Sequence, residues 1–282
     1  MSGTLYLCAT PIGNLGDISA RFIKTFEEVS LIAAEDTRQT IKLLNHLNIT
    51  KPLTSYHEHN KKEKGEYIIS VLKEGKDVAL VSDAGTPAIS DPGEDLVKLC
   101  IENDINITSI PGPVAGINAL ILSGLPTRRF AFEGFLSVNK RHRKEHLLSV
   151  KNDTHTLIFY EAPHKLKTTL FDMYEILGDR KIAIVRELTK IHEEVIRTTL
   201  KESQTLYEEK SPRGEYVLII EGAREIENEA ENPWWEEMSV IGHVDFYIEK
   251  GMTSKEAIKQ AADDRGMKKR EVYNAYHIRE QD

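Results

Sequence analysis

Short runs of apolar residues alternate with amphipathic stretches of about ten residues through the first part of the chain. Such alternation is typical of βαβ units, in which buried strands lie side by side in a mainly parallel sheet. The predicted strands and extended segments are Gly3–Ala9, Leu31–Ala34, Pro52–His59, Asp77–Ser82 and Asn106–Ile110. The predicted helices between them are Ser19–Val29, Thr40–Leu47, Glu63–Lys73 and Gly93–Asn103.

The second half of the chain has a different pattern, in which helices separate only some of the apolar runs. We predict a mixed α/β domain here. Its strands are Arg129–Phe135, Thr156–Tyr160, Lys181–Arg186 and Glu215–Glu221, and its helices are Arg143–Val150, Pro163–Leu177 and Lys201–Glu209.

The last fifty residues are helical in pattern. Thr253 and Glu256 have the spacing of a capping box, which predicts a helix from there to Asp264. A tight turn at Arg265–Met267 precedes a second predicted helix, Lys268–Ile278. This arrangement resembles a helix-turn-helix.

Length and pattern together predict an α/β protein with two α/β domains and a small helical C-terminal module. The 282 residues exceed one typical domain of about 100–150 residues. We place an N-terminal α/β domain at 1–113, a mixed α/β domain at 114–225, an acidic linker at 226–232 and the helical module at 233–282.

Composition narrows the class of protein. The apolar runs are far shorter than the roughly 20 residues of a transmembrane helix. The chain opens directly into a predicted strand rather than a leader. Its two cysteines, Cys8 and Cys100, have no metal-ligand or disulfide spacing. We therefore expect a cytosolic protein with no membrane association.

The net charge of −8 bears on the partners of the protein, since proteins that bind nucleic acid by bulk charge are usually basic. The negative net charge disfavours binding of nucleic acid by bulk charge. Recognition of nucleic acid would then depend on a few local phosphate contacts. Two basic clusters could provide them: Lys140, Arg141, Arg143 and Lys144 in one, and Lys268, Lys269 and Arg270 in the other. A solvated loop is the competing interpretation of the first cluster.

Glycine- and proline-rich loops follow three predicted strands, at Pro11–Gly16, Gly85–Gly93 and Pro111–Gly116. In open α/β sheets, ligands bind beyond the carboxyl ends of the strands, and such loops let a flat ligand lie against main chain. Glycine and proline also end strands without any ligand. Neither G-x-G-x-x-G nor the P-loop pattern is present, so an NAD-type or P-loop nucleotide site is disfavoured.

A metal site is also disfavoured. His57 and His59 would share one face of a strand, with no third ligand at a recognisable spacing. We predict no metal cofactor.

Nine motifs, in order along the chain, carry a resemblance to a known family. They are Thr10–Asp17, Ala34–Arg38, Tyr56–Asn60, Val81–Gly93, Ile110–Pro113, Ser123–Pro126, Phe132–Phe135, Phe159–His164 and Arg186–Lys190. Together they resemble the ribosomal RNA small subunit methyltransferase I group, a branch of the tetrapyrrole methylase superfamily. The resemblance extends from about Gly3 to Gly222, and the helical tail resembles the small C-terminal module of that family.

The resemblance implies S-adenosylmethionine (SAM) bound in a cleft between the two α/β domains of a homodimer. It also implies 2'-O-methylation of a cytidine ribose in the decoding region of 16S rRNA, on naked RNA or the 30S subunit. Thr86 stands where relatives often have Asp. The residues implied to contact SAM are Pro11, Ile12, Asp83, Gly85, Thr86, Pro87, Ile89, Val114, Ala115, Tyr160 and Leu188.

Removal of the proton from a ribose hydroxyl calls for a base, or for a cation that stabilises the alkoxide. Glu35, Asp36 and Arg38 follow the second strand at the predicted ligand edge, and His57 is a further candidate base. Asp36 is also a natural helix N-cap. The sequence leaves the identity of the base open.

Two other functions remain possible at this point. A tetrapyrrole (porphyrinogen or precorrin) C-methyltransferase would need the same SAM cleft but no RNA-binding tail. A non-enzymatic SAM sensor that binds nucleic acid would not need the polar residues at the strand ends. The basic clusters and those polar residues favour the RNA methyltransferase.

Overall fold

The computed structural model describes residues 2–208, 210–224 and 234–277. The chain divides into two compact units, Met1–Ala223 and Arg224–Asp282. Both α/β sheets belong to the first unit, so the domain boundary at residue 113 stays a prediction. The predicted linker 226–232 lies outside the described residues. No helix in the described ranges is both long and apolar enough to span a membrane.

The first sheet has five strands in the order β3-β2-β4-β1-β5, and every pair in it is parallel, as predicted. All residues of β2 and β4 are buried, because helices cover both faces of the sheet. The strands are β1 (Thr4–Cys8), β2 (Leu31–Ala34), β3 (Leu53–Ser55), β4 (Val78–Val81) and β5 (Asn106–Ile110). The helices are α1 (Ala20–Glu28), α2 (Thr37–Leu47), α3 (Lys61–Lys73) and α4 (Gly93–Glu102).

The second sheet is mixed, in the order β6-β7-β10-β8-β9. β6 and β7 are parallel, and the other pairs are antiparallel. Its strands are β6 (Phe130–Phe135), β7 (Thr156–Glu161), β8 (Lys181–Arg186), β9 (Glu194–Thr199) and β10 (Tyr216–Ile220). The helices of this part are α5 (Ala115–Ser123), α6 (Lys140–Ser149), α7 (Leu166–Leu177) and α8 (Leu200–Glu208).

The second unit contains three helices among its described residues: α9 (Val240–Glu249), α10 (Ser254–Asp264) and α11 (Lys269–His277). They enclose a small core of aliphatic side chains that includes Val244, Ile258 and Val272. The predicted capping box is present, since the Thr253 and Glu256 side chains bond reciprocally to backbone at the start of α10. The sequence pattern did not resolve α9 as a separate helix.

Arg143, one of the predicted RNA-contacting residues, is buried in the first unit. Its Nε and Nη2 atoms lie 2.8 and 2.7 Å from Oδ2 of the buried Asp172 on α7, and its Nη1 donates to the carbonyl of Ser137. Helix α6 begins at Lys140 rather than at the predicted Arg143, so Arg143 lies in the first turn and faces α7. The prediction that Arg143 contacts RNA is therefore wrong: it ties α6 to α7.

Removal of Arg143 tests this structural role. Arg143→Ala leaves the Asp172 carboxylate buried without its partner, so we expect the free energy of unfolding to fall by about 3–5 kcal/mol. Its neighbour Arg141 provides the control, because it pairs with Glu145 at the surface with 84% of its side chain exposed. Arg141→Ala should cost less than about 1 kcal/mol. Urea unfolding followed by circular dichroism measures both, and equal effects of the two substitutions would contradict the assignment.

Candidate functional site

A cleft of about 450 Å³ opens where the carboxyl edge of the first sheet faces the second sheet, within the unit Met1–Ala223. One wall comes from the loops after β1, β2 and β4, which contribute Ile12, Glu35 and the segment 82–91. The other wall comes from the start of α5 and from strand ends of the second sheet. These contribute Val114, Ala115, Phe135, Tyr160, Glu161, Ala162, Pro163, Val185, Leu188, Glu215, Tyr216 and Val217.

Nine of the eleven residues that the resemblance assigns to SAM line this cleft. They are Ile12, Asp83, Gly85, Thr86, Ile89, Val114, Ala115, Tyr160 and Leu188. Pro11 lines a smaller hollow next to the cleft, and Pro87 is buried within the loop after β4. The structure therefore brings nine of the eleven residues together, while their contact with SAM stays a prediction.

The loops after β1 and β4 are joined by a backbone bridge. The N–H of Thr10 donates to the carbonyl of Gly85 at 2.9 Å, and the N–H of Gly85 donates back at 3.1 Å. Gly85 has a φ of +84°, and a Cβ there would lie 3.3 Å from the Ile12 side chain. The glycine therefore lets the two loops form one continuous floor.

The loop after β1 also contacts the second sheet. Gly13 has a φ of +143°, and a Cβ at this position would lie 2.4 Å from Cγ of Lys190, in the loop after β8. Lys190 is held in turn by Glu187 and Glu215, each 2.8 Å from its Nζ. Close packing at Gly13 thus connects the two walls of the cleft.

Thr86 occupies the position at which this sequence departs from the family pattern. Its hydroxyl donates to the carbonyl of Pro113 at 3.1 Å, in the loop after β5. The Thr86 side chain therefore ties two loops of the cleft together. Its hydroxyl forms this bond without the negative charge that an Asp would carry.

The loop after β4 has a strained backbone that one carboxylate supports. Ala88 and Ser90 have φ values of 68° and 64°, which are costly for residues other than glycine. Asp91 accepts hydrogen bonds from the N–H groups of Ala88, Ile89 and Gly93 at 3.0, 3.1 and 2.8 Å. Strain of this kind concentrates at ligand sites, and Ile89, between the two strained residues, lines the cleft.

An aromatic side chain, Tyr160, forms part of the opposite wall. Its hydroxyl accepts from the N–H of Gly116 at 3.1 Å, and its ring packs edge-on against Phe132 and Phe135. Burial raises the pKa of Tyr160, so the hydroxyl stays neutral. A Cβ at position 116 would lie 3.2 Å from Cγ2 of Ile158 and 3.4 Å from that hydroxyl, so a side chain there would crowd this wall.

Glu161, which was not among the predicted site residues, is a buried carboxylate at the cleft wall. It accepts from the N–H of Ala162, from Nζ of Lys165 at 2.8 Å and from the hydroxyl of Thr169 at 2.5 Å. Glu161, Lys165 and Thr169 are four residues apart in the sequence, and this spacing was the signal that could have pointed to Glu161. The three bonds fix the segment that follows Tyr160.

Of the four candidate catalytic residues, Glu35 lines the cleft. Burial raises the pKa of its carboxyl, and the negative charges of Asp83 and Asp91 raise it further. A carboxylate with a raised pKa is a stronger base than an ordinary one. The position and environment of Glu35 therefore suit proton removal.

Asp36 is the N-cap of α2, the alternative that the sequence left open. Its carboxylate accepts from the backbone N–H of Arg38 and pairs with the Arg38 guanidinium at 2.7 Å. Hydrogen bonds from this side chain lower the pKa of Asp36 to about 2, which makes it a weak base. The backbone N–H of Asp36 donates to Oδ1 of Asp83 at 2.9 Å.

His57 is half-buried near the end of β3 and does not line the cleft. Its Nε2 lies 3.2 Å from Nδ2 of Asn60, while Oδ1 of Asn60 accepts from the His57 N–H. Nδ1 of the ring is buried and has no hydrogen-bond partner among the described residues. His57 and His59 belong to no cluster of three possible metal ligands among the described residues.

The remaining basic candidates lie at two helix starts. Lys140 and Arg141 are exposed and Lys144 is half-buried on α6. Lys268, Lys269 and Arg270 are all exposed at the start of α11. Both groups are accessible to phosphate, and their contact with RNA stays a prediction.

Comparison with known proteins places the chain in a family. Residues 4–204 match the family described as Tetrapyrrole (Corrin/Porphyrin) Methylases. The protein "Ribosomal RNA small subunit methyltransferase I" of Halalkalibacterium halodurans is 54% identical, over 98% of this chain and 95% of its own length. The protein of the same name from Bacillus subtilis is 52% identical, over 99% and 95%.

Among solved structures, a cobalt precorrin-4 methyltransferase is similar, with a TM-score of 0.58 over 77% of this chain and 94% of its own. At 15% identity this likeness shows the fold alone. The family match covers the first sheet and strands β6 to β9 of the second, and the two relatives extend over β10 and the C-terminal unit as well. The chain therefore belongs to the tetrapyrrole methylase family, within the group of proteins named ribosomal RNA small subunit methyltransferase I.

Proposed function

We propose that the protein is a SAM-dependent methyltransferase that acts on the 2'-hydroxyl of a cytidine ribose in the decoding region of 16S rRNA. The observation that carries the methyl-donor part is the cleft, whose lining coincides with nine of the residues that the family resemblance assigns to SAM. The RNA part is supported by relatives of 54% and 52% identity, whose names state small-subunit rRNA methylation. Such a substrate would place the protein in the cytoplasm.

The cleft has the size and chemistry that SAM requires. Its volume of about 450 Å³ lies within the range of small-molecule sites. Gly85 has no side chain where a Cβ would lie 3.3 Å from Ile12, so its backbone is exposed to a ligand in the cleft. Ile89, Val114 and Leu188 would enclose the apolar parts of the donor.

SAM supplies a methyl group on a sulfonium, which an oxygen nucleophile attacks in line. The protein residues hold the reactants in that geometry, and proximity is the main contribution. We assign the role of general base to Glu35: its carboxylate accepts the proton of the ribose hydroxyl as the oxygen attacks. The raised pKa of Glu35 supports this assignment, and the engaged, strongly acidic Asp36 is the weaker alternative.

A substitution at Glu35 tests the assignment. Glu35→Gln keeps the size of the side chain and removes the base, so we expect kcat to fall by about 100-fold or more while SAM affinity changes little. Asp36→Asn is the control and should lose less activity. A fully active Glu35→Gln enzyme, or a larger loss in Asp36→Asn, would assign the base elsewhere.

The same assignment predicts a pH dependence. The base acts when deprotonated, so kcat/KM should fall as the pH drops through the pKa of Glu35. Because that pKa is raised above the ordinary value of 4.5, the decline should occur at a higher pH than for an exposed glutamate. A pH profile of the wild-type enzyme measures it, and Glu35→Gln should remove this decline.

We also propose that two copies form a homodimer. Ile117 and Ile121 are exposed on one face of α5, and Phe130 and Phe132 are exposed on the neighbouring strand β6. A Cβ on Gly116 would lie 3.7 Å from the Phe132 ring, so the helix and the strand are in contact. Exposed apolar patches of this kind mark interfaces. Sedimentation should give a dimer that Ile121→Lys dissociates, and a monomeric wild-type protein would contradict it.

The exposed cations of α11 are proposed to contact RNA phosphates, together with Lys140, Arg141 and Lys144 on α6. Neutralising Lys268, Lys269 and Arg270 together with alanine should weaken RNA binding and make its salt dependence less steep, with SAM affinity retained. Lys255→Ala with Lys259→Ala, on the exposed side of α10, is the control. Unchanged RNA affinity in the triple variant would remove α11 from the interface.

Methyl transfer from labelled SAM is the direct test of the function. We expect label in 30S subunits or their rRNA, and mass spectrometry of the digested RNA should locate it on a cytidine ribose. Label in a porphyrinogen with unmodified RNA would instead support the tetrapyrrole methyltransferase. Binding of SAM without transfer to either substrate would favour the sensor.

A further inference from the structure

A second hollow, of about 280 Å³, lies beside the cleft and shares Ser82 and Asp83 with it. Its walls come from the loop after β1, including Pro11 and Leu15, and from the outer face of α2. The two cavities therefore meet at the end of β4. A molecule in the hollow would lie next to a molecule in the cleft, separated by Ser82 and Asp83.

The α2 wall of the hollow is basic. Arg38, Lys42 and His46 are four residues apart, so they share one face of the helix. Lys42 and His46 line the hollow, and Arg38 lies one turn before Lys42, paired with Asp36. In a chain with a net charge of −8, this row is a local concentration of basic side chains.

Apolar side chains also line the hollow. Pro11 and Leu15 lie in the loop after β1, opposite α2, and Leu43 lies on α2 itself; Leu15 is 46% exposed. At the boundary with the cleft, the Asp83 carboxylate is fixed by the backbone N–H of Asp36 at 2.9 Å. Basic groups, an apolar surface and an oriented carboxylate thus surround a volume that lies below the usual size of drug-binding sites.

We propose that this hollow receives the RNA nucleotide that is methylated. Lys42 and His46 contact its phosphates, the apolar side accepts the sugar and base, and the ribose hydroxyl reaches the cleft past Asp83. The small volume suits one nucleotide turned out of its stack and excludes a macrocycle. The proposal rests on the proposed function, which it deepens by assigning the acceptor site.

A double variant, Lys42→Ala with His46→Ala, tests the interaction of this wall with phosphate. We expect KM for the RNA substrate to rise at least ten-fold. The slope of RNA affinity against salt concentration, both on logarithmic scales, should become shallower by about 0.7 for each phosphate that is no longer neutralised. The dissociation constant for SAM and the melting temperature should remain those of the wild type. Lys62→Ala with His59→Ala, an exposed pair that lines neither cavity, is the matched control.

A second variant fills the hollow directly. Leu15→Trp should abolish most RNA methylation and leave SAM binding intact, because the larger ring occupies the acceptor space.

The outcomes separate this inference from the proposed function. A wild-type enzyme that does not methylate RNA refutes the function itself. A wild-type enzyme that methylates RNA, with unchanged KM in the double variant and full activity in Leu15→Trp, overturns the acceptor site. Weaker SAM binding in either variant also overturns it, since the hollow would then belong to the donor site.

Discussion

All five strands of the first sheet run in the same direction, so every loop that follows one of them emerges at the same edge. The cleft depends on this constraint. The loops after β1, β2 and β4 supply one wall, and the backbone bridge between Thr10 and Gly85 locks two of them together. Close packing of Gly13 on Lys190 then brings that edge against the second sheet.

Polar side chains at the cleft hold its loops in place through hydrogen bonds to other protein atoms. Asp91 supports the strained backbone at Ala88 and Ser90, Thr86 bonds the loop after β5, and Glu161 fixes the segment after Tyr160. Asp91, Thr86 and Glu161 all form hydrogen bonds with protein atoms. The apolar side chains and the backbone of the lining are therefore the groups that can contact a ligand. Among the four catalytic candidates, Glu35 is the one that lines the cleft.

The sequence predicted the first sheet well because its central strands β2 and β4 are buried on both faces and form continuous apolar runs. Strand β9 was missed, since it lies at the edge of the sheet, four of its six residues are polar, and its pairing with β8 is set by the tertiary fold. Helix α5 was missed because it is apolar nearly all round and has no amphipathic period. The site motifs located the cleft, but Arg143 shows their limit. A basic run in sequence does not reveal which cation turns inward to a carboxylate 29 positions away.

A crystal structure of the full chain with S-adenosylhomocysteine bound tests the central claim most directly, that the cleft between the sheets is the donor site. We expect the ligand between the Gly85–Ile89 loop and the Tyr160 wall, with its sulfur directed towards Asp83 and the neighbouring hollow. Ligand bound elsewhere on the protein, or a cleft closed by its own side chains in the complex, would contradict this claim.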